Sequence, residues 1–252
     1  MVDQQRIWDD DAARNYDTPG EGMFADDVLG PTVAVLAELA GGGRAVEFAI
    51  GTGRVAIPLS QAGVGVSGIE LSAAMLARLR EKVGADQLNV VEGDMTTASA
   101  GEGFTLAYLV FNTVSNLLTQ DEQVECFRNA ARHLRRHGRF VIELWVPQLR
   151  SLAPGHSGTV EVSQPGYLLV DTYDTLRQLA VSHHVSFDPK ITGRREARIG
   201  RSPHRYIWPS ELDLMARLAG FELEVRWGDW DRSAFTADSR SHVSVYRLVD
   251  PV

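Results

Sequence analysis

Glu47, Glu70 and Asp94 each stand near the end of an apolar run, and the first of these runs is broken by two glycines. In Val46-Glu47-Phe48-Ala49-Ile50-Gly51-Thr52-Gly53-Arg54 the pattern is that of a strand entering a glycine turn that opens a helix. Gly51 and Gly53 lack a Cβ, so the backbone can turn tightly and approach a ligand, while the first N–H groups of a helix beginning near Arg54 point toward it. A second apolar segment, Gly68-Ile69-Glu70, ends in a carboxylate 17 residues after Gly53. This is near the spacing at which an acidic side chain accepts ribose hydroxyls. A third run, Leu88 to Val91, leads into Glu92-Gly93-Asp94-Met95, where Asp94 can accept the exocyclic amine of an adenine.

The turn is preceded by Glu47 and lacks the third glycine that packs a helix beneath a pyrophosphate, so a cofactor without phosphate fits it better. No Lys follows Gly51-Thr52-Gly53 as it would in a phosphate-cradling loop, which excludes a nucleoside triphosphatase. Together Glu47-Phe48-Ala49-Ile50-Gly51-Thr52-Gly53, Gly68-Ile69-Glu70-Leu71-Ser72 and Glu92-Gly93-Asp94-Met95 resemble the first three motifs of the class I S-adenosylmethionine-dependent methyltransferases, in order and in spacing. The resemblance runs from about Tyr16 to Leu248 and includes His133 to Glu143, which is similar to the loop and fifth strand of that fold. It implies S-adenosylmethionine as cofactor, with S-adenosylhomocysteine as product. The implied cofactor-binding residues are Tyr16, Arg14, Glu47, Ala49, Gly51, Gly53, Glu70, Leu71, Met75, Gly93, Asp94, Met95, Phe111 and Asn112. Tyr16 resembles the N-terminal tyrosine that closes over the methionine part in many relatives, with Arg14 near its carboxylate. Ala49 departs from the family's pattern.

The chain is 252 residues long and 44% hydrophobic, enough for one large α/β domain and too short for two enzyme domains. Its single cysteine, Cys126, excludes a disulfide framework and the three-cysteine iron–sulfur ligation of radical enzymes that use the same cofactor. Cys126 is expected to pack in a helix. No 18-residue apolar stretch and no secretion signal is visible, so the expected location is the cytoplasm, without a membrane partner. A net charge of −8 argues against a nucleic-acid partner. Arg194, Arg195, Arg198, Arg201 and Arg205 form a local exception, read either as a solvated hairpin or as a receiver of an anionic acceptor.

Alternating strand and helix patterns over Ala45 to Ile50, Arg54 to Ala62, Gly65 to Ile69, Ser72 to Val83 and Asn89 to Val91 predict parallel strands with helical crossovers. Before them, Asp9 to Tyr16 and Pro31 to Leu39 read as helices. Ser72 is the predicted N-cap of the best-defined helix, with Gly84 as its C-cap. Pro58 inside the helix after the glycine turn predicts a kink or a short segment. Leu106 to Phe111 reads as a strand covered on both faces, whose end borders the site. Thr159 to Val162, Tyr167 to Thr172, Leu179 to Phe187 and Glu196 to Ile199 read as an antiparallel insertion, punctuated by Asp188-Pro189 and Thr192-Gly193. Pro209 starts a last helix that Gly220 stops, and Phe221 to Trp227 and His242 to Leu248 are the final strands.

The expected fold is a Rossmann-like, doubly wound, mostly parallel seven-stranded α/β sheet, with an antiparallel β lid between strand 5 and the last helix. The expected organisation is one methyltransferase domain: an N-terminal helical cap over 1–40, a cofactor-binding core over 41–150, a substrate lid over 158–207, and core again over 209–252. For catalysis, His183 and His184 are base candidates because a histidine titrates near working pH. Adjacent strand residues face opposite ways, so at most one points inward. Glu143 is the third candidate, able to orient an amine or hydroxyl, and Trp145, Tyr206 and Trp208 can wall an apolar acceptor. His183-His184 lacks a Cys partner or helical spacing, and no metal is expected. The expected activity is methyl transfer to N or O of a small molecule by a monomer or homodimer. A nicotinamide-dependent oxidoreductase and a non-catalytic S-adenosylmethionine-binding protein remain alternatives.

Overall fold

The computed structural model describes residues 7–83, 88–187 and 197–249. The strands β1 (Ala45–Phe48), β2 (Val66–Glu70), β3 (Asn89–Glu92), β4 (Phe104–Leu109), β5 (Leu134–Trp145), β10 (Phe221–Trp227) and β11 (Ser241–Leu248) form one sheet in the order β10-β11-β5-β4-β1-β2-β3. The pairs among β1 to β5 are parallel, and β11 runs antiparallel to both β5 and β10. Residues of β1, β2 and β4 are buried along their whole length, because helices cover both faces of the sheet.

On one face, α5 (Gln120–His133) and α6 (Pro209–Leu218) bring Phe127, Leu212 and Met215 against Phe48, Phe140, Phe221 and Tyr246. On the other, α2 (Asp26–Ala40), α3 (Ala56–Gln61) and α4 (Ala73–Lys82) set Leu36, Leu59, Leu76 and Leu79 against Tyr108, Val141 and Val245. Each such side chain contributes about 1.5–3 kcal/mol on leaving water. Cys126 packs in α5, and burial pushes its thiol pKa up.

Local signals in the sequence explain several boundaries. Ser72 caps α4, its Oγ accepting the Met75 N–H at 3.2 Å. Thr119 and Glu122 form a reciprocal capping box on α5. Pro58 lies in the first turn of α3, where the missing N–H has no helical partner to lose, and α3 is only 6 residues long. Two boundaries differ from expectation. α2 begins at Asp26, five residues before Pro31, because Asp26 and Asp27 complement the positive end of the helix. The loop expected ahead of the fifth strand within His133 to Glu143 is replaced by a direct junction: His133 ends α5 and Leu134 begins β5, where His137 takes a φ of 63° and the register against β4 shifts. Gly84, Asp188-Pro189, Thr192-Gly193, Arg194, Arg195 and Glu196 lie outside the described residues.

The chain goes from β1 outward to β3, then returns to β4 on the other side of β1. Helices therefore leave β1 and β4 on opposite faces, and a crevice opens beyond their C-terminal ends. Over that crevice lies a second, antiparallel sheet of β6 (Gly158–Gln164), β7 (Tyr167–Asp174), β8 (Leu179–Ser186) and β9 (Arg198–Arg205), in that order. Tyr173, Ala180 and Tyr206 pack against Trp145, Leu149 and Leu152 at its base. Arg205 fixes the end of β9 by binding Glu211 Oε1 of α6 at 2.7 Å and Gln123 of α5. No helix among the described residues is long and apolar enough to cross a membrane.

Candidate active site

β1 delivers the chain to the glycine turn at Ala49, whose φ of 51° lies in the left-handed region, as do Gly51 at 60° and Gly53 at 83°. This winding aims the Gly51 N–H at β2, where Glu70 Oε2 accepts it at 2.7 Å and Glu70 Oε1 accepts the Ser72 N–H at 2.8 Å. Each carboxylate oxygen therefore accepts a backbone N–H, and the Leu71 backbone adds to this cradle. Burial raises the Glu70 pKa, while the N–H groups of Ser72 and Gly51 pull it back.

Glu70 lines a chamber of about 180 Å³ with Leu71, Met75 and Met95. At its far side Asp94 turns Oδ1 to the N–H and Oγ of Thr96, both at 2.7 Å, leaving Oδ2 for an incoming donor. Glu70, Asp94 and Glu122 are the carboxylates of this lining, and a wall with three of them and no Lys or Arg fits a base and a ribose and rejects a phosphate.

An N-terminal segment covers this chamber. Ser72 Oγ donates to the Trp8 carbonyl at 2.6 Å. At the end of α1 (Asp10–Tyr16), Asp17 accepts from Thr52 Oγ1 at 2.6 Å and pairs with Lys82 at 2.6 Å, which ties the helix to the glycine turn. Tyr16 is thereby held between Trp8 and Phe24, ring centroids 5.6 and 5.9 Å away, and burial raises its pKa. Trp8, Tyr16, Thr113 and Asn116 also line a second chamber of about 480 Å³ beneath the lid sheet, so the two spaces are parts of one crevice.

The floor of the second chamber is the turn after β4. Phe111 and Asn112 have φ of 52° and 64°, and two bonds impose this: Glu143 Oε2 accepts the Phe111 N–H at 2.7 Å and Asn112 Oδ1 accepts the Trp145 N–H at 2.7 Å. The half-exposed Phe111 ring lies 5.3 Å from the Arg54 guanidinium. The strand pleat presents Leu169, Asp171 and Tyr173 of β7, Ser182 and His184 of β8, and Ser202 and His204 of β9 as the roof. Trp145 closes one end, with Tyr206 stacked edge-on behind it at 6.3 Å.

Of the residues expected to touch the cofactor, Tyr16, Ala49, Gly51, Glu70, Leu71, Met75, Gly93, Asp94 and Met95 line the first chamber. Phe111 and Asn112 line the second. Three readings are corrected. Arg14 is 62% exposed and faces Asp11 at 3.8 Å, because the side of α1 that meets the crevice is taken by Tyr16. Arg54 is the cation whose charge reaches Tyr16, Glu47 and Glu143. Glu47 is sealed beneath the turn, where Tyr108 donates to its Oε2 at 3.0 Å; burial pushes its pKa up to about 8. Gly53 turns its Cβ position to Leu79 and Ile57, so the glycine serves close helix packing, and it is not among the residues that line the first chamber.

Of the catalytic candidates, His184 is on the chamber wall, with Nδ1 2.7 Å from the Tyr167 hydroxyl. His183 takes the opposite face and bonds Thr172 Oγ1 at 3.0 Å. Glu143 is occupied as the clamp of the Phe111 N–H, and burial raises its pKa. Arg198 pairs with Asp11 at 2.6 Å and Arg205 is buried against Glu211, so the arginine cluster does not converge on a common point among the described residues. Trp8, Thr113, Asn116, Asp171 and His204 escaped sequence reasoning. They come from a terminus, a one-turn helix and two strands whose pairing alone brings them together.

A family profile described as a methyltransferase domain matches residues 45–138. The cypemycin N-terminal methyltransferase of a Streptomyces species is 24% identical over 247 residues, covering 95% of this chain and 96% of that one. CalS10, an amino pentose methyltransferase from Micromonospora echinaspora solved with S-adenosylmethionine, shares the fold with a TM-score of 0.66 at 20% identity, over 91% of this chain and 93% of its own. The CcbJ methyltransferase from Streptomyces caelestis superposes with a TM-score of 0.81 at 33% identity, over 95% of this chain and 96% of its own. Identity of that depth, carried across nearly the whole of both chains, makes the protein a member of the class I S-adenosylmethionine-dependent methyltransferases.

Proposed function

We propose that the protein methylates a nitrogen or oxygen of a small molecule seated in the second chamber. The observation that carries this reading is the continuity of the two chambers through Tyr16, Thr113 and Asn116, which gives a bound nucleoside and an acceptor a shared boundary. S-adenosylmethionine supplies a methyl group already activated on a sulfonium, so the protein's task is to bind, align and dry the reactants. Glu70 accepts the ribose hydroxyls and Asp94 the adenine amine. Arg54, which is outside the lining of both chambers but whose charge reaches Tyr16, would balance the methionine carboxylate through its field in place of Arg14. Tyr16, which lines both chambers, and Phe111, which lines the second, would exclude water where the two reactants meet, letting fixed dipoles act strongly there. Alignment at near-attack distance supplies roughly 7–11 kcal/mol of the barrier.

Relatives whose names state an acceptor support nitrogen. Besides the cypemycin and amino pentose enzymes, these include the sugar N-methyltransferase KedS8 from a Streptoalloteichus species and the glycopeptide N-methyltransferase MtfA. The test is incubation of purified protein with S-adenosylmethionine and a panel of amines and alcohols, followed by mass spectrometry. A methylated acceptor together with S-adenosylhomocysteine is expected. Tight cofactor binding with no methylated product from any acceptor would instead make the protein a binder without turnover.

A further inference from the structure

Asp171 and Glu161 are the carboxylates that the lid sheet contributes to the acceptor chamber, and Oδ1 of Asp171 is buried with no hydrogen-bond partner. Three other carboxylates around the lid are matched by guanidinium groups, while Glu161 lies exposed to solvent. Asp174 pairs with Arg177, Glu211 with Arg205, and Asp11 with Arg198. Among the described residues Asp171 has no such pair, and its charge instead acts on His184 and His204 across the chamber wall. A shielded carboxylate without a donor is costly, and a cation brought by the ligand removes that cost. Glu161, exposed at the rim of the same chamber, adds a second negative charge along the way in. An anionic acceptor meets repulsion from both, and a neutral one leaves Asp171 without a counterion.

His204 sits where the lid meets the core. Ser115 Oγ donates its only proton to the Asn112 carbonyl at 2.6 Å, so in its 3.4 Å contact with His204 Nδ1 the imidazole is the donor. A neutral His204 then carries its lone pair on Nε2. The Asn112 to Asn116 turn it touches is also the boundary between the two chambers. His184 lies farther from that boundary, beside Gly200, and is engaged by Tyr167. Burial holds His204 below the ordinary histidine pKa, with the Asp171 charge opposing, so the ring is neutral near pH 7.

We propose that the acceptor is an amine which enters as its ammonium ion, is anchored by Asp171, and gives a proton to His204 before methylation. The inference rests on the methyl-transfer reading above and specifies its substrate class. An ammonium nitrogen has no lone pair and cannot attack. Transfer of one N–H proton to His204 Nε2 frees that pair. The nitrogen then forms a bond to the methyl carbon as the carbon–sulfur bond breaks, with its electrons staying on sulfur. The positive charge of the sulfonium ends on the methylated nitrogen, and His204 returns its proton to solvent as product leaves. Because Asp171 acts on His204 as well as on the acceptor, a cation stays beside the carboxylate throughout the proton transfer.

The test uses the full chain loaded with S-adenosylhomocysteine, probed by ligand-observed NMR with pyrrolidine and benzylamine against their uncharged counterparts tetrahydrofuran and benzyl alcohol. The ammonium probes are expected to bind about tenfold or more tightly than the uncharged ones. Asp171→Asn should abolish this preference while leaving S-adenosylhomocysteine affinity unchanged. With S-adenosylmethionine, the wild type should methylate an amine that it binds, and His204→Gln should lower kcat with little change in KM. Equal binding of charged and uncharged probes by the wild type overturns the proposal without recourse to any variant. So does a preference that survives in Asp171→Asn, or a wild type that methylates none of the amines it binds. Failure to bind S-adenosylhomocysteine at all would refute the methyl-transfer reading instead.

Discussion

Replacing Glu70 with glutamine separates a positioning carboxylate from a merely polar one. The native carboxylate receives a backbone N–H on each oxygen, from Gly51 at 2.7 Å and Ser72 at 2.8 Å. Glutamine has nearly the same shape, but one of its two ends is an NH₂ that must face an N–H, donor against donor. Whichever way the amide is turned, either the glycine turn or the start of α4 loses its partner. One charge-assisted bond to a buried group is lost and one N–H is stranded, which amounts to about 2–4 kcal/mol of folding stability. The same change removes charge from the ribose acceptor, weakening S-adenosylmethionine by about 1.5–3 kcal/mol, or roughly 10- to 150-fold in Kd. Urea unfolding with an unchanged slope and calorimetric titration read the two effects separately. Glu70→Ala should lose affinity to a similar extent. If Glu70→Gln binds the cofactor and unfolds like the wild type, Glu70 neither holds the turn nor receives the ribose, and the assignment of the first chamber fails.

Three further outcomes follow from individual residues. Ala49 has a φ of 51°, so Ala49→Gly should stabilise the protein by about 0.5–1 kcal/mol, seen as a higher urea midpoint. Arg205→Ala leaves the carboxylate of Glu211, 15% exposed, without its buried partner and should cost about 3–5 kcal/mol in thermal unfolding, much of it regained in Arg205→Met/Glu211→Leu. Burial raises the Glu47 pKa from 4.5 to about 8, so unfolding releases a proton between those values. Glu47's contribution is therefore complete below pH 4.5 and is lost as pH rises through 8. Relative to Glu47→Gln, the wild type should lose stability steadily across that window, by at most roughly 5 kcal/mol, measured as unfolding free energy at several pH values.

The N-terminal segment and the lid meet directly through Arg198 of β9 and Asp11 of α1, at 2.6 Å. Both partners are substantially exposed, so the pair contributes little to stability. Its geometric effect is to set the lid's outer strand beside the helix that carries Tyr16, so cofactor cover and acceptor roof are neighbours.

Much of the core was legible because its signals are local. The glycine turn needs residues that tolerate positive φ, Ser72 caps the helix that follows it, and continuous apolar runs mark strands covered on both sides. Those features are set by residues a few positions apart, so the order of strands, the crevice and the carboxylates at its edge could be read from spacing. Side-chain direction was not. Arg14 and Tyr16 are two residues apart on one short helix, and only its docking against Ser72, Thr52 and Lys82 turned Tyr16 in and Arg14 out. Glu47 looked like a ligand because it precedes the turn, yet the pleat of a strand with helices on both faces buried it. The amino-acid sequence by itself determined what cofactor this chain takes and which turn and strand-end residues line the first chamber, since those features are set by residues a few positions apart. Only the tertiary structure decided which of its histidines and carboxylates share the acceptor chamber, because Asp171, His184 and His204 come from three different strands and meet only once those strands have paired.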